Sequence, residues 1–131
     1  MRAELETKLF NEFPEFFKQK ENIKTSLMGF GFECDDGWFN LIYKLMKDIK
    51  AVYDTEQEHF YVVQVKEKFA GLRFYITGAS SEVLALIHAA ENESYRICEC
   101  CGKPGSMKVR GGWYKTLCEE CAGSEWMEVK K

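Results

Sequence analysis

Histidine and proline are scarce in this 131-residue chain, which holds two of each: His59, His88, Pro14 and Pro104. Long apolar runs are missing altogether. Nothing approaches the ~18 consecutive apolar residues of a membrane span, so no transmembrane segment is expected. The opening Met1-Arg2-Ala3-Glu4-Leu5-Glu6 is charged and lacks the apolar stretch of a secretory signal. Repeats, low-complexity tracts and flexible linkers are also lacking. Net charge is only −3, too little and of the wrong sign for a general nucleic-acid coat. Together these absences point to a reducing, cytoplasmic setting and one compact domain, or a main body with a small appendage.

What is present in quantity is apolar and aromatic material, 46% and 15% of the residues, enough for a real core. Charge is unevenly spread. Residues 1–59 carry 8 basic and 12 acidic groups (net −4), residues 60–95 carry 3 and 4 (net −1), and residues 96–131 carry 7 and 5 (net +2). By this count a basic face is expected only at the C-terminal end.

Six cysteines are present, four of them as Cys98-x-x-Cys101 and Cys118-x-x-Cys121 with sixteen residues between the pairs. Each short pair lets two sulfurs reach one ion from a single turn, the spacing that tetrahedral zinc sites use. An even cysteine count also admits a disulfide framework, but a reducing compartment disfavours it. Cys100 sits between two ligands as a bystander. Gly102 follows the first pair, where the turn needs a positive φ, and Pro104-Gly105 turns the chain outward. Met107, Val109, Trp113 and Thr116 read as the arms of a hairpin around Gly111-Gly112. Ala122-Gly123-Ser124-Glu125-Trp126 reads as a short helix. Turn, hairpin and helix, with a cysteine pair in the first and last, resemble the treble-clef zinc finger. Four thiolates fill the coordination sphere of zinc and leave no place for an activated water, so a structural Zn2+ is expected. Treble-clef nucleases of the HNH group need histidines here, and this segment has none.

The body divides into three readable parts. Residues 2–10 suggest a first helix, followed by Phe13-Pro14-Glu15-Phe16-Phe17, whose aromatics either dock on the body or form an exposed patch for a protein partner. From Trp38 onward, Leu41, Ile42, Leu45, Met46, Ile49 and Val52 or Tyr53 fall at helical spacing and predict the main core helix. Asp35 or Asp36 is expected to cap it, and Gly37 reads as a poor helix former tolerated in the first turn. The cluster Glu33, Asp35 and Asp36 also admits a catalytic or cation-binding role. Cys34 beside it is a poor nucleophile, since flanking carboxylates raise a thiol pKa.

The stretch from His59 to Thr77 reads as a β-hairpin with Ala70-Gly71 at its turn. Simple alternation puts Phe60, Val62 and Gln64 on one face and Tyr61, Val63 and Val65 on the other. Lys66, Lys68 and Arg73 cluster near the tip among Phe69, Phe74 and Tyr75. Cations beside aromatics suit phosphates and flat bases; the bland alternative is a sheet edge protected by lysine. A third helix, capped near Ser80, is expected to run to Glu93 with Val83, Leu84, Ile87 and His88 at helical spacing.

Phe32-Glu33-Cys34-Asp35-Asp36-Gly37-Trp38-Phe39, the run from Val65 to Tyr75 and the paired cysteines with Thr116-Leu117-Cys118 resemble a group of small bacterial and phage proteins. The resemblance implies a prokaryotic or viral cytoplasmic origin and carries no catalytic set with it. The expected fold is α+β: helices on a small antiparallel sheet (residues 1–95), with a four-cysteine zinc unit (residues 96–131) packed on its end. The leading functional expectation is a non-enzymatic binding protein. Lys66, Lys68 and Arg73 would engage the phosphate of a nucleotide-like small molecule or a nucleic acid, and Phe69 or Tyr75 would stack on a base. In a phage such a protein would act on host signalling or transcription. A protein–protein adaptor, with a second copy among its possible partners, and an enzyme built on Glu33, Asp35 and Asp36 are the alternatives.

Overall fold

The computed structural model describes residues 1–56 and 60–129, with residues 54–56 described by their backbone only. His59 therefore lies outside the described residues. The order of elements is α1 (Ala3–Glu12), β1 (Phe32–Glu33), α2 (Phe39–Glu56), β2 (Val62–Lys68), β3 (Gly71–Ile76), α3 (Ser81–Ser94), β4 (Ser106–Arg110), β5 (Trp113–Leu117), α4 (Glu119–Ala122) and β6 (Met127–Glu128). Two three-stranded sheets result, ordered β1-β2-β3 and β5-β4-β6. The fold is α+β, and none of the helices is long and apolar enough to cross a membrane among the described residues.

The first sheet is mixed, not purely antiparallel. β2 and β3 form the expected hairpin, while β1 joins β2 in parallel, pairing Phe32 with Val65 and Glu33 with Lys66. Parallel neighbours need a long crossover, and α2 supplies it. That helix turns Ile42, Leu45, Met46 and Ile49 into the core, as its periodicity predicts. Around them pack Leu9, Phe16, Phe32, Trp38, Phe60, Val62, Val65, Leu72, Phe74, Val83 and Ile87. Phe13, Phe16 and Phe17 are all buried here, so this segment belongs to the core and offers no surface for an adaptor.

Simple alternation fails in β2. A register shift between Val62 and Gln64 brings Val62 and Val65 to the same buried side. A bulge inserts one residue and so reverses the facing of everything beyond it. Its consequence is that Gln64, Lys66 and Lys68 share the open face.

The third helix is capped as expected, the Ser80 hydroxyl accepting the Val83 N–H at 3.2 Å. Its inward residues are Val83, Ile87, Ala90 and Ser94, whereas Leu84 and His88 point outward. α3 also covers the free edge of β3. The Leu72 N–H donates to the Ser94 hydroxyl at 2.9 Å and the Phe74 N–H to the Glu91 carboxylate at 3.0 Å. Backbone groups left over by the ladder thus find side-chain acceptors.

In the C-terminal unit, Gly111 and Gly112 have φ of 51° and 86°, which the two-residue hairpin turn between β4 and β5 demands. α4 runs from Glu119 to Ala122 between its caps Cys118 and Gly123, earlier than the sequence suggests, and the chain then returns as β6 beside β4. Among the described residues the buried apolar cluster of this unit is Cys98, Leu117 and Ala122, with Cys118, Cys121 and Trp126 partly buried against it, a core too small to stand by itself.

Candidate functional site

The four predicted ligands converge. The sulfurs of Cys98, Cys101, Cys118 and Cys121 all lie within 4.8 Å of one another, and Cys101 and Cys118 are 3.6 Å apart. A tetrahedral ion bonded at ~2.3 Å to each sulfur sets them ~3.8 Å apart, so the constellation fits a metal. All six cysteines are free thiols. Backbone geometry prepares the site. Gly102, at φ 85°, donates its N–H to the Cys98 carbonyl at 2.9 Å, and the Cys121 N–H points at the Cys118 sulfur at 3.5 Å. That N–H, helped by neighbouring thiols, lowers the Cys118 thiol to about 7. Burial and the same crowd of sulfurs push the Cys121 thiol up. Four thiols at this spacing resist shared ionisation until a cation neutralises them, which is what a metal supplies.

The five residues expected to bind a ligand also share a region. Lys66 stands directly opposite Arg73, and Gln64 opposite Tyr75, on the open face of the first sheet; Lys68 pairs with Gly71 at its end. Tyr75 is 42% exposed and Phe69, in the turn, 66%. Arg73 is held from behind: both terminal nitrogens reach the Tyr95 hydroxyl at 3.3 Å, and one donates to the Leu72 carbonyl at 3.0 Å. The hydrogen bond to Tyr95 raises the Arg73 pKa further. Gly71 is what admits Tyr95 to this place, because a Cβ there would overlap the Tyr95 ring and hydroxyl. β2 is the central strand and the β3 edge is covered by α3, so the lysines of β2 do not guard an exposed edge.

Cations of the C-terminal unit are spoken for. Lys103 pairs with Glu120, the buried Lys108 with Glu119 and Glu128, Arg110 with Glu125, and Lys115 with Asp35. The surplus of two positive charges counted there corresponds to Lys130 and Lys131, which lie outside the described residues; Lys103, Lys108, Arg110 and Lys115 are each ion-paired. Lys66, Lys68 and Arg73 make no ion pair with a described residue.

The acidic cluster is dispersed. Glu33 accepts from the Gln64 amide at 2.9 Å, Asp35 faces Lys115 at 3.5 Å, and Asp36 accepts from the Arg2 N–H at 2.8 Å. Neither aspartate caps the following turn through its side chain. With three different partners these carboxylates do not converge on a reaction centre. Cys34 is buried, and burial first, then Glu99, raises its thiol to about 12.

What the segment around Cys34 does instead is dock the two units. The Gly37 N–H donates to the Glu99 carbonyl at 2.7 Å and the Trp38 indole to the Ile97 carbonyl at 2.9 Å. Asp35 gives its N–H to the Glu99 carboxylate at 3.0 Å. Glu99 is 2% exposed, and burial raises its pKa despite that hydrogen bond and Lys115 at 3.8 Å. The sequence missed the docking roles of Gly37, Glu99, Tyr95 and Thr116: it reads Gly37 as a tolerated helix blemish and Thr116 as part of a hairpin arm, and only Glu99, held between cysteines, gave a local signal.

No family model, no curated protein and no solved structure matches this chain.

Proposed function

We propose that this is a zinc-stabilised, non-enzymatic binding protein that takes a single-stranded nucleic acid on the open face of its first sheet. One observation carries the proposal: Lys66 stands opposite Arg73 and neither makes an ion pair with a described residue, while Glu33, in register with Lys66 on its other side, is bonded to the Gln64 amide. Like charges directly across a ladder destabilise a sheet. A fold that keeps such a pair beside exposed aromatics has a use for an anion there. Arg73, preset by Tyr95, offers its planar fork to phosphate oxygens, and Lys66 and Lys68 add point charges. Phe69 and Tyr75 supply faces on which bases stack, each contributing roughly 1–3 kcal/mol. An open sheet suits a strand better than it suits a small molecule that must be enclosed. The metal, held by Cys98, Cys101, Cys118 and Cys121, would be Zn2+ in a treble-clef-like unit. It supplies folding energy and no reaction chemistry.

Fluorescence anisotropy with a labelled eight-nucleotide oligothymidylate tests this. Lys66→Gln should weaken binding and flatten the salt dependence, whose slope is ~0.7 per phosphate contact on single strands. The same variant loses both the like-charge neighbour Arg73 and the opposite-charge neighbour Glu33, whose effects of about 0.2–1 kcal/mol oppose each other, so the fold should keep its stability to within about 1 kcal/mol. Weaker binding with the fold's stability kept is the signature; unchanged binding in Lys66→Gln and Arg73→Lys refutes the proposal. A free nucleotide that competes with little salt dependence would shift the ligand to a small molecule. A protein partner is the second reading, favoured by a cleft of about 540 Å3 between α2 and α3 walled by Leu41, Leu45, Leu86 and Ile97.

A further inference from the structure

The turn between β2 and β3 is Phe69-Ala70, not Ala70-Gly71, and both residues have positive φ, 51° and 74°. A two-residue hairpin needs this backbone to match strand twist, yet the residues that adopt it readily are glycine and asparagine. Phenylalanine and alanine do not hold such a turn by themselves. Two side chains hold it for them. The Ala70 N–H donates to the Glu67 carboxylate at 2.8 Å, and the Ala70 carbonyl accepts the Thr116 hydroxyl at 2.8 Å. Ala70 and Thr116 are both wholly buried, while Phe69 between them and solvent is exposed.

Thr116 belongs to the metal unit. Its carbonyl accepts the Glu99 N–H at 2.9 Å, next to Cys98, and Cys118 follows two residues later. An ion that ties Cys98 and Cys101 to Cys118 and Cys121 therefore also fixes the strand that carries Thr116. We infer that Thr116 is a positioning residue through which metal loading holds the Phe69-Ala70 turn in its left-handed form and so sets the placement of Phe69. The effect on a ligand rests on the nucleic-acid reading above; the coupling of metal to turn does not.

The test uses the zinc-loaded full chain, with NMR of the Phe69 and Ala70 amides, whose three-bond couplings report the sign of φ. Thr116→Val should move these signals with one zinc per chain retained and the signals of residues 98–102 unchanged; Thr116→Ser should restore them. Ala70→Gly in the Thr116→Val background should also restore the turn, since glycine adopts this φ freely. In the wild type, stripping zinc with a chelator should shift the same two signals, and in Ala70→Gly it should shift them much less. Should Thr116→Val fail to fold, this comparison of wild type with Ala70→Gly decides alone. Turn signals that ignore both Thr116→Val and zinc removal overturn the inference. Oligothymidylate affinity should fall about three- to tenfold in Thr116→Val, the loss expected from one hydrogen bond's worth of placement. If the turn moves as expected but the wild type binds no oligonucleotide, the ligand reading fails and the coupling stands.

Discussion

Replacing Gly37 with alanine drives a methyl into the seam between the two units. Its Cβ would lie 2.5 Å from the Glu99 carbonyl carbon and closer still to the carbonyl oxygens of Cys98 and Glu99. These are backbone atoms of the metal-binding turn, so they cannot swing aside as a flexible side chain would. Relief requires the segment to lift, which breaks the bonds from Gly37 to Glu99 and from the Trp38 indole to Ile97. Two such hydrogen bonds contribute about 1 kcal/mol each, and overpacking of a tight contact costs about 1–3 kcal/mol. The expected loss is therefore about 3–5 kcal/mol. For a chain of this length each kcal/mol moves the melting midpoint by roughly 3–5 °C, giving a fall of about 10–20 °C. Thermal and urea unfolding of the zinc-loaded protein measure it, with Trp38 fluorescence as a local report once Trp113 and Trp126 are replaced by phenylalanine. Gly29→Ala serves as control, since its Cβ meets a single atom, the Lys20 carbonyl oxygen at 3.1 Å. A Gly37→Ala protein within about 0.5 kcal/mol of wild type would refute the seam as drawn.

Two further outcomes follow from the thiols. Cys118→Ser should abolish stoichiometric zinc by metal analysis and unfold the C-terminal unit, because a structural site supplies on the order of 10 kcal/mol that three buried residues do not replace. Cys34, raised from 9.0 to about 12 in the fold, favours the native state only while the thiol is protonated; that contribution is complete below pH 9 and is lost as pH rises toward 12. Cys34→Ala should flatten the alkaline decline in unfolding free energy, and at pH 8 iodoacetamide should label the exposed Cys100 while sparing Cys34; rapid native-state labelling of Cys34 would contradict its burial.

The four-cysteine cluster was legible in the sequence because its signal is local. Two residues between cysteines, a glycine after the first pair and a Gly-Gly turn each report on a few neighbouring residues. The same holds for the stripe of α2 and the cap of α3. What stayed hidden was every feature decided across the chain. Gly37 looks like a tolerated helix blemish until Glu99, more than sixty residues away, is laid against it. Asp35 and Asp36 look like caps because capping needs only the next turn, yet Lys115 and the Arg2 backbone take them instead. The bulge in β2 and the turn at Phe69-Ala70 were misread for a related reason: both are local, but their cause is tertiary. Burying Val62 and Val65 together and seating Ala70 against Thr116 override alternation and turn preference.

Electrostatics makes the point most sharply. Counted by segment, positive charge belongs to the C-terminal end, where the net is +2, and not to residues 60–95, where it is −1. Among the described residues the pairing of charges is different: without Lys130 and Lys131, which lie outside them, the C-terminal segment holds five basic and five acidic groups. Glu119, Glu120, Glu125, Glu128 and Asp35 meet the cations of the metal unit and cancel them at short range. The carboxylates of the body are drawn off elsewhere, Glu67 to the Ala70 amide and Glu91 to the Phe74 amide. What those bonds leave behind is Lys66, Lys68 and Arg73 without an ion pair to a described residue, on a face where Glu33 stands beside Lys66 and is bonded to Gln64. Within a Debye length of ~8 Å, a ligand at that face meets these three cations before it meets the net charge of the protein. An acidic protein can therefore carry a local group of cations without ion pairs, and such a group is found by asking which charges pair with which, since the total alone points to the other end of the chain.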